Sequence, residues 1–199
     1  QDALIHADIA LRQAKRVREN TACFEDMEDV SRQFELNILW SKKLKQAYAE
    51  QRIQPWFQPI VDTQTRRIVK YECLIRLLEK DGQVITPSEF LDIARQSLLY
   101  HKLSRLMIER CCQYFADKTY SFALNLSVSD LFNRETLNWL KENVKHYQVG
   151  ERLVLELLEW ESVTHYEQLA SILEEIRQLG CRLAIDDFGS GYSNFRHLM

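Results

Sequence analysis

The chain has 199 residues, 46% of them hydrophobic and 28% charged, and its 26 basic against 29 acidic side chains leave a formal net charge of −3. That length supports one substantial core plus an appendage, and the balance of charge excludes a broad basic field for a nucleic acid polymer or a polybasic block for a membrane surface. No run approaches the ~18 consecutive apolar residues of a membrane helix, and the charged N-terminus QDALIHADIALRQAKRVREN is unlike a secretory signal, so a soluble segment with no membrane contact is expected.

Leu4, Ala7, Leu11, Ala14 and Val17 recur at helical spacing, and Asn20 supplies a stop, so the first 20 residues read as one amphipathic helix. Residues 21–32, TACFEDMEDVSR, are acidic and aperiodic and read as a linker. A second helix follows, with Leu36, Leu39, Trp40, Leu44, Ala47 and Tyr48 on one face. From Ile53 the period changes to that of strands: IQPWFQPIVD and RRIVKYECLIRL, joined by TQTRR, predict a hairpin. Thr86, Pro87 and Glu89 supply an N-cap, a first-turn proline and a capping-box glutamate, which start a helix near Pro87. Helix continues to about Lys118 with a break near Ser97.

SFALNLS (121–127) is the third predicted strand, LFNRETLNWLKENVKHY is helical, and Gly150 ends the connection to a fourth strand, RLVLELL (152–158). Thr164 and Glu167 form another capping box ahead of Tyr166, Leu169, Ile172, Leu173, Ile176 and Leu179, Gly180 terminates that helix, and CRLAID is the fifth strand. Strand, helix, glycine, strand is a βαβ unit, which makes strands four and five parallel and the architecture α/β. The third strand with its following helix extends the same parallel series.

Five cysteines, Cys23, Cys73, Cys111, Cys112 and Cys181, form no CxxC pair, which points to a reducing cytoplasm rather than a disulfide framework or a zinc site. Cys73 and Cys181 lie in apolar runs and read as small core residues. His6, His101, His146, His165 and His197 show no ligand spacing and read as structural or exposed. FGSG misses the GxGxxG spacing because Asn194 stands where the third glycine belongs, so Gly189 and Gly191 read as permitting a tight turn.

Strands covered on both faces are continuous apolar runs, yet Glu72 interrupts YECLI, Asn125 interrupts ALNLS, Glu156 interrupts VLELL and Asp186 closes LAID. Each alone has a plain explanation: Asp186 capping a loop, Asn125 satisfying a backbone amide, Glu156 facing solvent on an edge. Together, near the C-terminal ends of neighbouring strands where α/β folds place their sites, they are better explained by a shared hard cation. Oxygen donors without histidine or thiolate favour Mg²⁺, Mn²⁺ or Ca²⁺ over zinc. Alternation puts Arg76 on the face of Glu72, either as a phosphate contact or as a structural ion pair with that glutamate.

These blocks resemble the EAL domain, the bacterial module that hydrolyses cyclic di-GMP. FQPIVD is similar to the opening strand of that family, ECLIR to its EAL-x-R signature, TPSEFLDIA to the following helix, LNLS to its asparagine strand, LELLE to its glutamate strand and IDDFGSGYSNFRHL to its double-aspartate loop. Cys73, Leu77 and Ser190 are mild departures from the pattern. The resemblance implies a TIM-like (β/α) barrel with an antiparallel first strand, and divides the chain into residues 36–199 of that domain, a linker over 21–35 and, at 1–20, the last helix of a GGDEF-like domain suggested by ADIALRQAK.

Carried over by position, the resemblance implies Glu72, Asn125, Glu156, Asp186 and Asp187 as ligands of two cations, Mg²⁺ or Mn²⁺. Glu72, Asp186, Asp187 and Glu159 form its catalytic set, with Glu159 holding the loop after strand five. Gln58, Leu74 and Arg76 are its substrate contacts, and the implied reaction yields linear pGpG. The family continues with three further strands bearing a lysine, a glutamate and a glutamine that these 199 residues lack, so an incomplete barrel, inactive alone, is expected. Open barrel edges favour self-association, so a homodimer is expected as well. The competing readings are a degenerate EAL domain acting as a cyclic di-GMP receptor or protein adaptor, and an α/β scaffold whose carboxylates are structural.

Overall fold

In the computed structural model, which describes residues 27–97, 99–157 and 166–185, the chain divides into two compact units, residues 1–46 and 47–199. The helix expected over residues 1–20 lies outside the described residues. Helix α1 runs over Met27–Ala49, so the segment read as linker is helical from Met27 onward. Leu44 and Ala47 are fully buried, whereas Leu36 and Leu39, expected on the same covered face, are 41% and 61% exposed. An apolar stripe predicts burial only where a partner surface exists, and periodicity carries no information about the partner.

The second unit is built on a hairpin, β1 (Ile53–Val61) and β2 (Ile68–Leu78), paired antiparallel with Gln58 opposite Glu72. Its turn is organised by Asp62, whose Oδ1 accepts the backbone N–H of Gln64 and Thr65 at 3.0 and 2.6 Å. A two-residue strand, β3 (Val84–Ile85), pairs with the end of β2 and is too short to carry a sequence period. Helix α2 (Pro87–Arg95) opens where the capping residues place it, and Glu89 Oε1 accepts the N–H of Thr86 at 3.3 Å. Helix α3 (Tyr100–Phe115) follows after the expected break.

Strands β4 (Ser121–Leu126), β5 (Leu153–Leu157) and β6 (Arg182–Ile185) then add in parallel, giving the order β1-β2-β4-β5-β6 with β3 beside β2. Parallel pairing requires helical crossovers: α2 and α3 link β2 to β4, α4 (Val128–Phe132) and α5 (Arg134–Tyr147) link β4 to β5, and α6 (Tyr166–Gln178) links β5 to β6. The single helix read over LFNRETLNWLKENVKHY is two, because Asn133 leaves helical geometry at ψ 107° and caps α5, its Oδ1 accepting the N–H of Thr136 at 2.9 Å. Val144 to Leu153 closes through a short 3₁₀ turn at Gly150–Arg152. Gly150 is required there: a Cβ would stand 1.9 Å from the carbonyl oxygen of Leu179. Gly180 ends the segment after α6 at φ +86°.

The core lies between the sheet and its helices. Phe115 stacks on Phe122 with ring centroids 4.4 Å apart, and both are fully buried with Leu103, Ile108, Leu124 and Leu126. Burying one such side chain contributes about 2–3 kcal/mol. Arg152 closes the C-terminal end of α3, donating to the carbonyls of Phe115, Lys118 and Ala116. Cys73, Cys111, Cys112 and Cys181 are buried free thiols, as expected for Cys73 and Cys181; Cys23 lies outside the described residues. No helix among the described residues is long and apolar enough to cross a membrane.

Candidate functional site

Along β2 the residues alternate: Cys73, Ile75 and Leu77 are buried on the helix-covered face, and Lys70, Glu72, Leu74 and Arg76 are half-buried on the other. Register carries the second face across the sheet. Glu72 pairs with Ala123 of β4, Asn125 two residues further pairs with Glu156 of β5, and Glu156 pairs with Ala184 of β6. Glu72, Asn125 and Glu156 therefore share one face near the C-terminal ends of the parallel strands. Asp186 and Asp187, which follow β6, lie outside the described residues, as do Glu159 and the FGSG loop.

A hydrogen bond ties two of the three together, and register alone sets Glu156 beside them. Asn125 Nδ2 donates to Glu72 Oε1 at 3.1 Å, so the amide does not serve the backbone. Asn125 Oδ1 is buried and has no hydrogen-bond partner among the described residues. Leaving a buried carbonyl oxygen unpaired costs about 1–3 kcal/mol, so a native site retains one only where something else uses it. A hard cation takes such an oxygen, and the carboxylates beside it are the donors that a hard cation prefers. The residues present thus fit a divalent ion. Among the described residues no three His, Cys, Asp or Glu side chains converge, since only Glu72 and Glu156 of the acidic set fall within them.

Arg76 lies on the predicted face but makes no ion pair with Glu72; its Nη1 donates to the carbonyl of Ile75 at 2.9 Å, which leaves the structural-pair reading without support. Gln58 is exposed on β1 directly across from Glu72, and Leu74 stands two residues beyond that glutamate on the same face.

Two polar groups were not anticipated. Lys70, two residues before Glu72, reaches over β4 to place its Nζ 2.6 Å from Glu156 Oε1, with side chains 26% and 14% exposed. Strand alternation already put Lys70 on the Glu72 face; its partner, 86 residues away, had no local signal. Asp130 is fully buried at the start of α4, where its Oδ2 accepts the N–H and hydroxyl of Ser127 and its Oδ1 meets His101 Nδ1 at 2.9 Å. This network braces the turn that leaves β4 just after Asn125. Burial, together with the negative charge of Asp130, raises the phenol pKa of neighbouring Tyr100.

The EAL domain family pattern matches residues 41–199. The chain is 27% identical over 175 residues to cyclic di-GMP phosphodiesterase PdeF of Escherichia coli (strain K12), covering 85% of this chain and 23% of that protein. It is 30% identical over 162 residues to the probable cyclic di-GMP phosphodiesterase PdeB of the same organism, covering 78% and 31%. The chain thus spans less than a third of the length of either relative. Among solved structures, the PaMucR phosphodiesterase in complex with c-di-GMP superimposes with a TM-score of 0.72 at 23% identity, over 80% of this chain and 68% of that one. The FimX EAL domain from Pseudomonas aeruginosa bound to c-di-GMP gives 0.64 at 26% identity, over 80% and 66%. With its parallel sheet, antiparallel first strand and acidic strand ends, the chain belongs to the EAL domain family.

Proposed function

We propose that the complete EAL domain to which these residues belong hydrolyses cyclic di-GMP to a linear dinucleotide with the help of Mg²⁺ or Mn²⁺. The observation that carries the reading is the buried Asn125 Oδ1, unpartnered among the described residues, on a side chain held beside Glu72 and in register with Glu156. Relatives named as cyclic di-GMP phosphodiesterases support the substrate.

Glu72, Asn125 and Glu156, with Asp186 and Asp187 from the segment after β6, hold the cations. A divalent cation supplies positive charge for a phosphate oxygen and for the attacking water. Arg76, on the same face as Glu72, offers a guanidinium to a phosphate, and Gln58 and Leu74 line the approach to it. Glu159 steadies the loop that carries the aspartates. Four buried free thiols suit a reducing cytoplasm, and β1, an edge strand among the described residues, suits pairing in a homodimer.

The test is formation of the linear product from cyclic di-GMP with Mg²⁺ or Mn²⁺ by the full-length protein, comparing wild type with Glu72→Ala. Turnover lost in the variant supports the reading, and turnover unchanged in it overturns the reading. The Lys70–Glu156 ion pair favours a second reading, a receptor that binds the dinucleotide without cleaving it, because an ammonium already neutralises one of the carboxylates. Binding by calorimetry with no product in either metal would select the receptor.

A further inference from the structure

Two of the carboxylates read as cation ligands have different partners. Glu72 receives an amide N–H from Asn125 and no cationic side chain among the described residues, whereas Glu156 receives an ammonium. The Lys70–Glu156 contact at 2.6 Å is charge-assisted, and it is largely shielded, with the carboxylate side chain 14% exposed. Lys70 is held in place by its strand: β2 pairs Lys70 with Ser121 of β4 on one side and with Ile60 of β1 on the other. Its side chain must therefore stay on the interior face with Glu72. Arg182, entering from β6, donates to Ser121 Oγ at 2.8 Å on the same face and adds a second positive charge at the lower rim.

We propose that Lys70 is an internal counter-ion that competes with the divalent cation for Glu156 and so sets the affinity of the site for metal. The inference rests on the cation reading given above. A carboxylate oxygen committed to an ammonium cannot also be given to a cation without bringing two positive charges together. Loading the site then requires Glu156 to turn from Lys70 towards Asn125, its register partner. Groups just outside a metal's own ligands change affinity by about 10–100-fold, and a full charge in contact with a ligand oxygen belongs at the upper part of that range. Lys70 also keeps Glu156 from being an unpaired buried charge when no cation is held. It is a positioning residue.

The experiment is Mn²⁺ titration of the protein without substrate, followed by the loss of free-ion electron paramagnetic resonance signal, for wild type, Lys70→Met, Lys70→Gln and Glu72→Ala. Both Lys70 variants are expected to bind Mn²⁺ at least about tenfold more tightly than wild type, and Glu72→Ala to lose binding. Thermal melts identify a variant that has failed to fold, and the other Lys70 variant then carries the comparison. If wild type binds Mn²⁺ through Glu72 while both Lys70 variants bind equally or more weakly, the counter-ion role is overturned and the cation reading stands. If no variant binds Mn²⁺, or Glu72→Ala binds as wild type does, the cation reading itself is overturned, and the counter-ion role with it.

Discussion

The two faces of the same strands are stabilised by opposite means. On the outer face of β2 and β4, Cys73, Ile75, Leu77, Phe122, Leu124 and Leu126 are buried under helices. On the inner face, Lys70, Glu72, Arg76 and Asn125 of these strands gather charge and leave a carbonyl oxygen unpaired among the described residues. One face therefore contributes stability, and the other holds groups whose cost is justified by chemistry rather than folding. That division predicts which substitutions separate function from stability.

The largest effect is on the inner face. In the full-length protein, Glu72→Ala is expected to lower turnover of cyclic di-GMP at least about 100-fold, since several kcal/mol of charge stabilisation leave with the ligand, while its melting temperature stays near that of wild type. On the outer face, Phe122→Ala is expected to cost about 3–5 kcal/mol in denaturant unfolding through the cavity it leaves under Phe115. A similar loss would show that the comparison has an exception for Asp130→Ala, where a polar group stabilises: removing the fully buried partner of His101 and Ser127 is expected to cost about 3 kcal/mol.

Asn125→Leu sharpens the contrast. It removes the unpaired oxygen, so unfolding stability is expected to change by no more than about 1 kcal/mol while cation binding in the Mn²⁺ titration falls. A large destabilisation would assign Asn125 to the fold instead. The smallest effect concerns two buried thiols, Cys112 of α3 and Cys181 just before β6. Burial pushes Cys112 up to about 12 and Cys181 up to about 11, so both are expected to resist alkylation at pH 8 in the native protein. The sign for stability follows: these thiols stay neutral when folded and ionise earlier when unfolded, so their contribution is intact below pH 9 and is lost as pH rises through about 11 to 12.

Much of this was legible in local chemistry. The β1–β2 hairpin, the start of α2 at Pro87 and the parallel pairing of β5 with β6 all follow from period, capping residues and glycine, each a property of a few neighbouring positions. So did the odd polar residues at Glu72, Asn125 and Glu156, because a charge inside an apolar run is visible without coordinates. The split between α4 and α5 was missed because Asn133 reads as a tolerable interior residue until its side chain is seen capping Thr136.

Local pattern determined the strands, their alternation and the residues worth suspecting, since backbone sterics and side-chain polarity act over a turn or a pleat. Partners were a different matter. That Asn125 gives its amide to Glu72, 53 residues away, that Lys70 holds Glu156, 86 away, and that Leu36 and Leu39 stay exposed were decided by register and packing. A side chain carries its charge and its periodicity in the sequence, but which group it meets depends on how distant strands align, and that is a property of the folded sheet alone.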